Sequence, residues 1–313
     1  MKTGTRTILV IGFGSIGQRH VRILREMGQK VHVFSRRKLP EEEYYQNLEA
    51  ALIDVHSEYF VIANETSEHH SALKPVLSYK IPKIMVEKPL FSTSLENLPE
   101  NSQSQVRVAY NLRFHPLLQH LCSEIKEQIV LLVQIYVGQF LPDWRPQQDY
   151  RKSYSVSRTQ GGGALRDLSH ELDYINWLFG PWQALSALGG HYSSLSGDSD
   201  DVFCLLLKME SCPAVSLQMN YLDRYGRREV LINTDKHTYR LDLMKKEYKR
   251  DQEPATSFSI ERDETFRAQH ADMLNNNVKL CCSLQEGLDV LWMIDAAEKS
   301  AETETWQKNQ HLR

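Results

Sequence analysis

The chain has 313 residues, about twice the length of an ordinary domain, which predicts two domains, each with its own core. Hydrophobic residues make up 41% of it and charged residues 25%, a composition that excludes fibrous, disordered and membrane-embedded proteins. The 37 Lys and Arg nearly balance the 40 Asp and Glu, and the formal net charge of −3 predicts that the protein binds neither nucleic acid nor a membrane surface.

Short β-branched runs alternate with helical stretches over the first hundred residues. This alternation is typical of a parallel sheet with crossover helices, that is, of an α/β doubly wound fold. The predicted strands are Thr7 to Ile11, Lys30 to Phe34, Tyr59 to Ile62, Lys83 to Val86 and Val106 to Tyr110. The predicted helices are Ile16 to Met27, Leu48 to Val55, Ser67 to Ser78 and Thr93 to Leu98.

A different pattern begins after Tyr110. It starts with a predicted helix from Pro116 to Gln128 and a long β run from Ile129 to Gln139. A loop from Phe140 to Gln160 follows, and loops of this length in compact domains are usually functional or disordered. A glycine-rich helix then precedes alternating strands that predict a large open antiparallel sheet: Ala184 to Gly189, Asp201 to Met209, Ala214 to Tyr221, Arg228 to Asn233 and Thr238 to Leu243. Helices around Glu264 to Asn275 and Glu286 to Glu302 close the chain. We expect a first domain over residues 1–112 and a second over residues 113–313.

The cysteines and the first residues indicate a reducing compartment. The five cysteines are an odd number, contain no C-x-x-C pair and do not combine with His at zinc spacing, so we expect reduced thiols and no metal site. The first apolar stretch is broken by Gly12 and Gly14 and is neither a membrane span nor a signal peptide. We therefore expect a cytoplasmic protein.

The pattern G-x-G-x-x-G lies between the first predicted strand and the first helix. Gly12 allows a tight turn, Gly14 lets the backbone approach a pyrophosphate, and Gly17 lets the helix pack closely on the sheet. The unpaired N–H groups at the start of that helix attract an anion. We predict that a dinucleotide binds here, at Gly12, Phe13, Gly14, Ser15, Ile16 and Gly17; the alternative is a glycine turn without a ligand.

The end of the second predicted strand lacks the acidic residue that binds the ribose 2′-hydroxyl of NAD. Ser35, Arg36 and Arg37 stand there instead, and guanidinium groups form strong hydrogen bonds to phosphate oxygens. These residues favour NADP as the cofactor, with NAD as the second choice. The alternative is a solvated basic turn.

The segment Glu87-Lys88-Pro89 follows the fourth predicted strand, at the edge where open α/β sheets bind their ligands. The ammonium group of Lys88 could there stabilise charge that develops on a substrate oxygen. The alternative is a surface turn, which is the more frequent context of these three residues in isolation.

The helix after Gly161-Gly162-Gly163 carries acidic residues and a histidine. At about 100° per residue, its apolar side chains share one face, and the polar residues Asp167, His170, Asp173 and Tyr174 lie on the other. Asp167 could orient the ring of His170, which is then a candidate general acid/base. The alternative is an amphipathic helix with a solvated polar face. A zinc protease is excluded, because Tyr174 stands at the position of the second histidine ligand.

In their order along the chain, these motifs resemble the Gfo/Idh/MocA oxidoreductase family. The segments that match are Gly12 to Gly17, Ile62 to His69, Glu87 to Pro89, Tyr110 to Pro116 and the helix with Asp167 and His170. The resemblance implies a Rossmann domain followed by an α/β domain with a large open antiparallel sheet, a nicotinamide cofactor and a sugar, cyclitol or nucleotide sugar as substrate. It also implies roles for individual residues: Lys88, His170 and Asp167 in catalysis, and Asn64, Thr66, His69, Glu87, Lys88 and Asn111 near the cofactor.

One feature departs from the family pattern. Many members place the aspartate four residues before the histidine, whereas here Asp167 precedes His170 by three. His170, by contrast, keeps its distance to Asp173 and Trp177. The stretches Leu141 to Pro146 and Asp149 to Arg151 are similar to a bacterial branch associated with surface-carbohydrate synthesis.

The expected function is hydride transfer between the nicotinamide and a sugar-type substrate, with His170 exchanging the hydroxyl proton and Lys88 stabilising the oxygen. Candidate substrate contacts also include Arg113, Trp144, Arg145, Tyr150 and Arg151, because Arg binds anions and aromatic rings pack on sugars. Two alternatives stay open: an NAD-dependent glycoside hydrolase of the same family and a non-catalytic dinucleotide-binding regulator. An open sheet face also predicts a homo-oligomer, a dimer or a tetramer.

Overall fold

The computed structural model describes residues 4–39, 44–78, 83–94, 98 and 106–312. It divides into two compact units. The first unit contains Met1–Phe114 and Glu261–Leu288, and the second contains His115–Ile260 and Asp289–Arg313. The expected boundary after residue 112 lies two residues from the observed one, but a division at a single point does not describe the return of Glu261–Leu288 to the first unit.

The first unit contains a seven-stranded sheet. Its strands are β1 (Thr7–Ile11), β2 (Lys30–Phe34), β3 (Tyr44–Tyr45), β4 (Tyr59–Ile62), β5 (Ile84–Val86), β6 (Val106–Val108) and β15 (Cys282–Ser283). Their spatial order is β15-β6-β5-β4-β1-β2-β3; β15 pairs antiparallel with β6, and the other pairs are parallel. The predicted α/β doubly wound fold is confirmed.

The helices of the first unit pack against this sheet. They are α1 (Ser15–Glu26), α2 (Leu48–Asp54), α3 (His69–Leu77) and α7 (Glu264–Leu274). The core contains side chains from the central strands, such as Val10 and Val61, together with Met273 and Leu274 of α7. The predicted helix Thr93 to Leu98 lies largely outside the described residues.

The second unit contains a nine-stranded sheet that is largely antiparallel, as predicted. Its spatial order is β14-β13-β12-β11-β7-β10-β9-β8-β16, and β7 and β10 are the parallel pair. The strands are β7 (Val130–Gly138), β8 (Trp182–Gly190), β9 (Val202–Met209), β10 (Val215–Asn220), β11 (Arg227–Thr234), β12 (Thr238–Asp242), β13 (Glu247–Arg250), β14 (Thr256–Ser257) and β16 (Gln307–Lys308). The helices are α4 (Pro116–Ile125), α5 (Ala164–Asp167), α6 (His170–Phe179) and α8 (Leu284–Thr303), which begins in the first unit.

Strand β9 shows why this sheet has one dry face and one open face. Phe203, Leu205 and Leu207 are buried, whereas the alternate residues Leu206 and Lys208 are exposed. Such alternation is typical of an antiparallel sheet that packs on helices on one side.

The predicted continuous helix from Gly161 to Gly180 is wrong. The chain leaves helical geometry at Leu168, which ends α5, and α6 begins at His170. A constant rotation of 100° per residue does not continue across that break. The polar face is also not solvated, because Asp173 and Tyr174 are fully buried.

No helix in the described part of the chain combines the length and the hydrophobicity that crossing a bilayer requires. The five cysteines are all free thiols. Among residues 4–39, 44–78, 83–94, 98 and 106–312, no three His, Cys, Asp or Glu side chains cluster as metal ligands would.

Candidate functional site

The glycine loop after β1 has the shape that a pyrophosphate requires. Gly12 adopts φ +104°, and a Cβ atom there would lie 2.6 Å from the backbone nitrogen of Asn64. A Cβ atom on Gly17 would collide with the carbonyl oxygen of Gly12, so only glycine lets α1 start this close to the strand. At Gly14, by contrast, a Cβ atom would meet nothing within 4 Å, and the first turn of α1 contains no acidic side chain. An anion therefore has room at the start of α1 and meets no negative charge there.

The segment after β2 contains the three residues that favour NADP. Ser35 is buried, and its hydroxyl accepts a hydrogen bond from the Arg37 backbone N–H (3.1 Å). The exposed Arg36 guanidinium donates two hydrogen bonds to the carboxylate of Glu68 (2.7 and 2.9 Å). The sequence analysis missed Glu68 because it lies 32 residues beyond Arg36, and no local motif links the two. A carboxylate thus lies next to the arginine that was expected to bind a phosphate.

The loop after β4 connects to the segment after β5 through His69. The ring is buried, with Nδ1 3.1 Å from the carbonyl oxygens of Pro89 and Leu90 and Nε2 3.2 Å from that of Asn64. Burial lowers the pKa of His69, and the carbonyl oxygens at its two ring nitrogens oppose this shift. Thr66 is buried in the short 3₁₀ turn before α3. His69 therefore ties two loops together at the carboxyl edge of the sheet.

Glu87 begins the segment that carries Lys88. Its carboxylate is buried and accepts hydrogen bonds from the His20 ring (Oε1 to Nε2, 2.8 Å) and from the Lys88 backbone N–H (Oε2 to N, 3.0 Å). Burial by itself would raise the pKa of Glu87, but the hydrogen bond from His20 and the charge of Lys88 lower it overall. Lys88 is half-buried directly after this carboxylate.

The sequence analysis assigned no role to His20. It lies on the buried face of α1 together with Val21 and Leu24, so a polar residue on an apolar helical face is the signal that could have revealed it. His270 occupies a similar position on α7. Their pairing could not be found, because 250 residues separate them along the chain.

Asn111 and Arg113 are both buried in the first unit. The Asn111 amide donates a hydrogen bond to the Thr265 hydroxyl (2.6 Å), and Arg113 forms an ion pair with Glu286 (2.7 Å). Both therefore bind the segment that returns from the second unit. Arg113 is 2% exposed, which leaves little of its surface for a substrate.

In the second unit, the Asp167 carboxylate accepts a hydrogen bond at each oxygen. One comes from the hydroxyl of Tyr154 in the long loop and the other from that of Tyr221 after β10, both at 2.7 Å. Burial, followed by the charge of Asp167, raises the pKa of both tyrosines well above 10. Asp167 therefore anchors the long loop to the sheet through groups that remain protonated.

His170 is the first residue of α6 and is half-buried. The next residue, Glu171, is fully buried and forms an ion pair with Arg228 of β11 (2.8 Å). His115 also lies near Arg228, and burial together with the charges of Arg228 and Lys246 lowers its pKa to about 4. The buried ion pair of Glu171 with Arg228 thus begins at the residue that directly follows His170.

The long loop contains four 3₁₀ turns, Leu141–Asp143, Tyr150–Lys152, Tyr154–Val156 and Arg158–Gln160. It encloses a cavity of about 320 Å³ whose wall includes Trp144, Arg145, Tyr150 and Lys152. The edge of Trp144 contacts Tyr221, which binds Asp167, so the cavity wall and the Asp167 site are in contact. Arg151 does not line the cavity; it binds Asp149 at 2.8 and 2.9 Å.

Several of the expected cofactor residues lie at one edge of the first sheet. Gly12, Asn64 and Lys88 directly follow or lie near the carboxyl ends of β1, β4 and β5, which are neighbours in the sheet. This is the edge at which open α/β sheets bind their ligands. Trp144, Arg145 and Tyr150 come together at the cavity of the second unit, without Arg151.

Family models match both units. Residues 6–107 match the model of the oxidoreductase family with an NAD-binding Rossmann fold, and residues 130–240 match that of the GFO/IDH/MocA C-terminal domain. The chain is also 27% identical over 204 residues to an uncharacterized oxidoreductase of Synechocystis sp.. That alignment covers 59% of this chain and 54% of the relative, so the chain spans about half the length of the relative it matches.

Solved structures share the fold over nearly the full chain. GenD2 from gentamicin A biosynthesis, in complex with NAD, superposes with a TM-score of 0.81 at 17% identity and covers 99% of this chain and 98% of its own. Levoglucosan dehydrogenase with NADH has a TM-score of 0.83 at 17% identity over 98% and 100% of the two chains. The WlbA dehydrogenase from Bordetella pertussis, in complex with NADH and UDP-GlcNAcA, has a TM-score of 0.77 at 16% identity over 97% and 99%.

Proposed function

Because the chain belongs to the Gfo/Idh/MocA family of oxidoreductases with an NAD-binding Rossmann fold, we propose that it transfers hydride between C4 of a nicotinamide and a carbon of a sugar, cyclitol or nucleotide sugar. This carbon bears a hydroxyl in the reduced substrate and a carbonyl in the oxidised one. The observation that carries the proposal is the edge of the first sheet, where the glycine loop and Lys88 follow neighbouring parallel strands. Two similar structures, levoglucosan dehydrogenase in complex with levoglucosan and WlbA in complex with UDP-GlcNAcA, agree with this substrate class.

The cofactor, when bound, supplies the hydride chemistry. The residues of this chain supply position and charge. The N–H groups at the start of α1 bind the pyrophosphate, and the Lys88 ammonium donates a hydrogen bond to the reacting oxygen. His170 accepts the hydroxyl proton during oxidation and returns it during reduction, since an imidazole exchanges protons near neutral pH. We also assign Asp167 to the catalytic set, because its carboxylate binds Tyr154 and so holds the loop that precedes α5.

The test is a panel of sugars, sugar acids and nucleotide sugars, offered with NAD⁺ and NADP⁺ while reduced nicotinamide is measured by absorbance. For the substrate that reacts, Lys88→Ala and His170→Ala should each lower kcat at least about a hundredfold, since general acid/base catalysis contributes that much. Both variants should keep the cofactor affinity of the unmodified protein. The control Lys74→Ala, a change at an exposed lysine of α3, should leave kcat unchanged. Normal turnover in both variants contradicts the proposed roles.

Two results would favour the alternatives. Release of an aryl group from a glycoside without net change in nicotinamide absorbance indicates the NAD-dependent glycoside hydrolase. Cofactor binding without any turnover, on any sugar or glycoside, indicates the regulator.

For the cofactor, we propose a preference for NADP that Glu68 limits. Ser35, Arg36 and Arg37 present no carboxylate of their own, but Glu68 already occupies the Arg36 guanidinium. An exposed ion pair contributes at most about 1 kcal/mol, so a 2′-phosphate can displace it. Glu68→Gln should therefore strengthen NADPH binding and Arg36→Ala should weaken it, with NADH affinity unchanged in both, as measured by quenching of tryptophan fluorescence. NADH preference in the unmodified protein contradicts this assignment.

We further propose that the cavity of the long loop receives an anionic group of the substrate. Arg145 and Lys152 line it, and in the described part of the chain neither forms an ion pair. Asp149 also lines the cavity, but its carboxylate is already paired with the guanidinium of Arg151. Trp144 and Tyr150 offer aromatic surface to a sugar ring. Arg145→Ala should raise KM for an anionic substrate more than Arg151→Ala does, and leave KM for a neutral sugar unchanged. Equal effects of the two variants would argue against the cavity.

The open face of the second sheet supports a homo-oligomer. Leu132, Leu206 and Trp306 are exposed and share a groove of about 420 Å³ with Lys208. We propose that a second copy of the chain covers this face, because large exposed apolar patches are unusual on monomers. Leu206→Glu should convert the oligomer to a monomer in analytical ultracentrifugation. A monomeric unmodified protein would exclude this interface.

A further inference from the structure

A continuous chain of hydrogen bonds crosses the interior of the first unit. The Tyr59 hydroxyl lies 3.0 Å from Nδ1 of His270, Nε2 of His270 lies 2.8 Å from Nδ1 of His20, and Nε2 of His20 lies 2.8 Å from Oε1 of Glu87. Tyr59, His20 and His270 are completely buried. Each ring nitrogen of the chain has one partner, so the proton positions are mutually dependent.

The Glu87 end of this hydrogen-bond chain determines which atom donates and which accepts in each of its bonds. A carboxylate only accepts, so His20 donates from Nε2. In a neutral His20 ring Nδ1 then carries no hydrogen, and it accepts from Nε2 of His270. Nδ1 of His270 then accepts from the Tyr59 hydroxyl. Burial lowers the pKa of His270 well below its usual range, which keeps this ring neutral as the order requires.

We propose that His20, His270 and Tyr59 are positioning residues that hold the Glu87 carboxylate in one orientation, and that the charge of Glu87 sets the direction of every hydrogen bond in the chain. Glu87 in turn binds the backbone N–H of Lys88, so the chain fixes the start of the segment that carries Lys88. The hydrogen-bond order does not depend on the proposed function; only the consequence for turnover does.

The far end of the chain supports positioning rather than proton export. Tyr59 is fully buried, and its second contact is the sulfur of Met85 (3.3 Å), which is also buried. In the part of the chain that the structure describes, no exposed titratable group continues the path beyond Tyr59. A proton that entered at Glu87 would therefore stop there.

Because the Met85 sulfur can accept a hydrogen bond from Tyr59, all the hydrogen bonds of this series can reverse their donor and acceptor roles. If Glu87 is replaced by Gln, its amide oxygen must accept from the Lys88 N–H, because a backbone N–H cannot accept, and its amide nitrogen faces Nε2 of His20. His20 then accepts at Nε2 and donates from Nδ1, His270 does the same toward Tyr59, and the Tyr59 hydroxyl donates to Met85. Every group keeps a partner, but both histidines change tautomer.

The first experiment measures these tautomers by long-range ¹H–¹⁵N NMR of the full chain labelled with ¹⁵N-histidine, without substrate. At pH 7 the protein should show His20 and His270 neutral and protonated at Nε2. Glu87→Gln should move both protons to Nδ1, and Glu49→Gln, a change at an exposed residue of α2, should leave them in place. Tyr59→Phe should also keep the Nε2 protons, since Glu87 sets the direction. Nδ1 protons in the unmodified protein, or an unchanged pattern in Glu87→Gln, would overturn the proposal.

The second experiment compares two amides at position 20. The longer side chain of His20→Gln can still donate toward Glu87, whereas that of His20→Asn reaches only to the place of Nδ1. His20→Asn should lower kcat about a hundredfold, the effect of a small misplacement, while KM for the cofactor stays constant. His20→Gln should restore kcat to within about tenfold. Equal losses in both variants indicate a merely structural histidine and overturn the positioning role.

The two experiments separate the failure of this inference from that of the proposed function. Confirmed tautomers without turnover on any sugar contradict the proposed function alone. Wrong tautomers in an active enzyme contradict the hydrogen-bond chain alone.

Discussion

Two buried carboxylates, Glu87 in the first unit and Asp167 in the second, receive their hydrogen bonds from donors of different kinds. Glu87 binds an imidazole and a backbone N–H, and the imidazole belongs to a chain of groups that can all exchange donor and acceptor roles. Asp167 accepts its hydrogen bonds from two phenols, those of Tyr154 and Tyr221. Both carboxylates are satisfied, but only the first has donors that can adapt when its charge changes.

The difference matters for how each site responds to change. Reversal of the imidazole chain keeps all of its members paired when Glu87 loses its charge. A phenol has a single hydrogen, so if Tyr154 or Tyr221 had to accept from position 167, its own hydrogen would have no acceptor. The Asp167 site should therefore be rigid and sensitive to substitution, and the Glu87 site tolerant.

The strongest test removes the carboxylate of the rigid site. Asp167→Ala leaves two buried hydroxyls without an acceptor, at about 1–3 kcal/mol each, so we expect the free energy of unfolding to fall by about 4 kcal/mol. Urea denaturation followed by circular dichroism measures this. Asp143→Ala, a change at an exposed aspartate of the same loop, should cost less than about 0.5 kcal/mol. A small loss for Asp167→Ala means that the phenols find other partners.

Neutralising both carboxylates without changing their shape compares the sites directly. Asp167→Asn should lower the free energy of unfolding by about 2 kcal/mol more than Glu87→Gln, because only the second substitution lets all neighbouring groups stay paired. Equal losses in urea denaturation would show that the imidazole chain does not reverse.

Acid provides a third comparison. Burial keeps His270 neutral in the folded state, and His115 of the second unit has a pKa of about 4. Above pH 6.5 these histidines are neutral in both states, so their effect on stability is absent; as pH falls, the unfolded chain gains protons that the folded chain refuses. From pH 7 to 5 this costs about 2 kcal/mol for His115, and His115→Gln should remove that share. The loss in free energy of unfolding that remains in His115→Gln then includes the contribution of His270. The tyrosines at Asp167, whose pKa values are raised, do not contribute in acid.

The smallest expected difference concerns single hydroxyls. Tyr221 donates to a charged carboxylate and Tyr59 to a neutral ring. Hydrogen bonds to charged groups contribute more, so Tyr221→Phe should lower the free energy of unfolding about 1 kcal/mol more than Tyr59→Phe. Thermal denaturation of the two variants under identical conditions measures the difference; the reverse order would contradict the assigned charge states.

The first sheet was largely predictable because its central strands are continuous apolar runs. Strands β1, β2 and β4 have the predicted bounds, and burial on both faces explains why the runs are so clear. Strands β3, β14, β15 and β16 have two residues each and were missed, since a pair of residues shows no periodicity and pairs only because the tertiary structure brings it to a sheet edge.

The motif residues could be found from the sequence, but their partners could not. Local spacing identified the glycine loop and Lys88, and nothing local connects Arg36 to Glu68 or His20 to His270. The helical-face argument around His170 was wrong because a break at Leu168 changes the rotation between Asp167 and His170. The individual site residues named by the resemblance remain predictions.

The return of Glu261–Leu288 to the first unit affects the order of events during synthesis on the ribosome. His270, Thr265 and Glu286 complete the contacts of His20, Asn111 and Arg113, and β15 pairs with β6. None of these late residues exists when the first 114 residues leave the exit tunnel. The nascent first unit must therefore wait, incompletely packed, until nearly the whole second unit has been translated, and a chaperone that binds exposed apolar surface would find it during that interval.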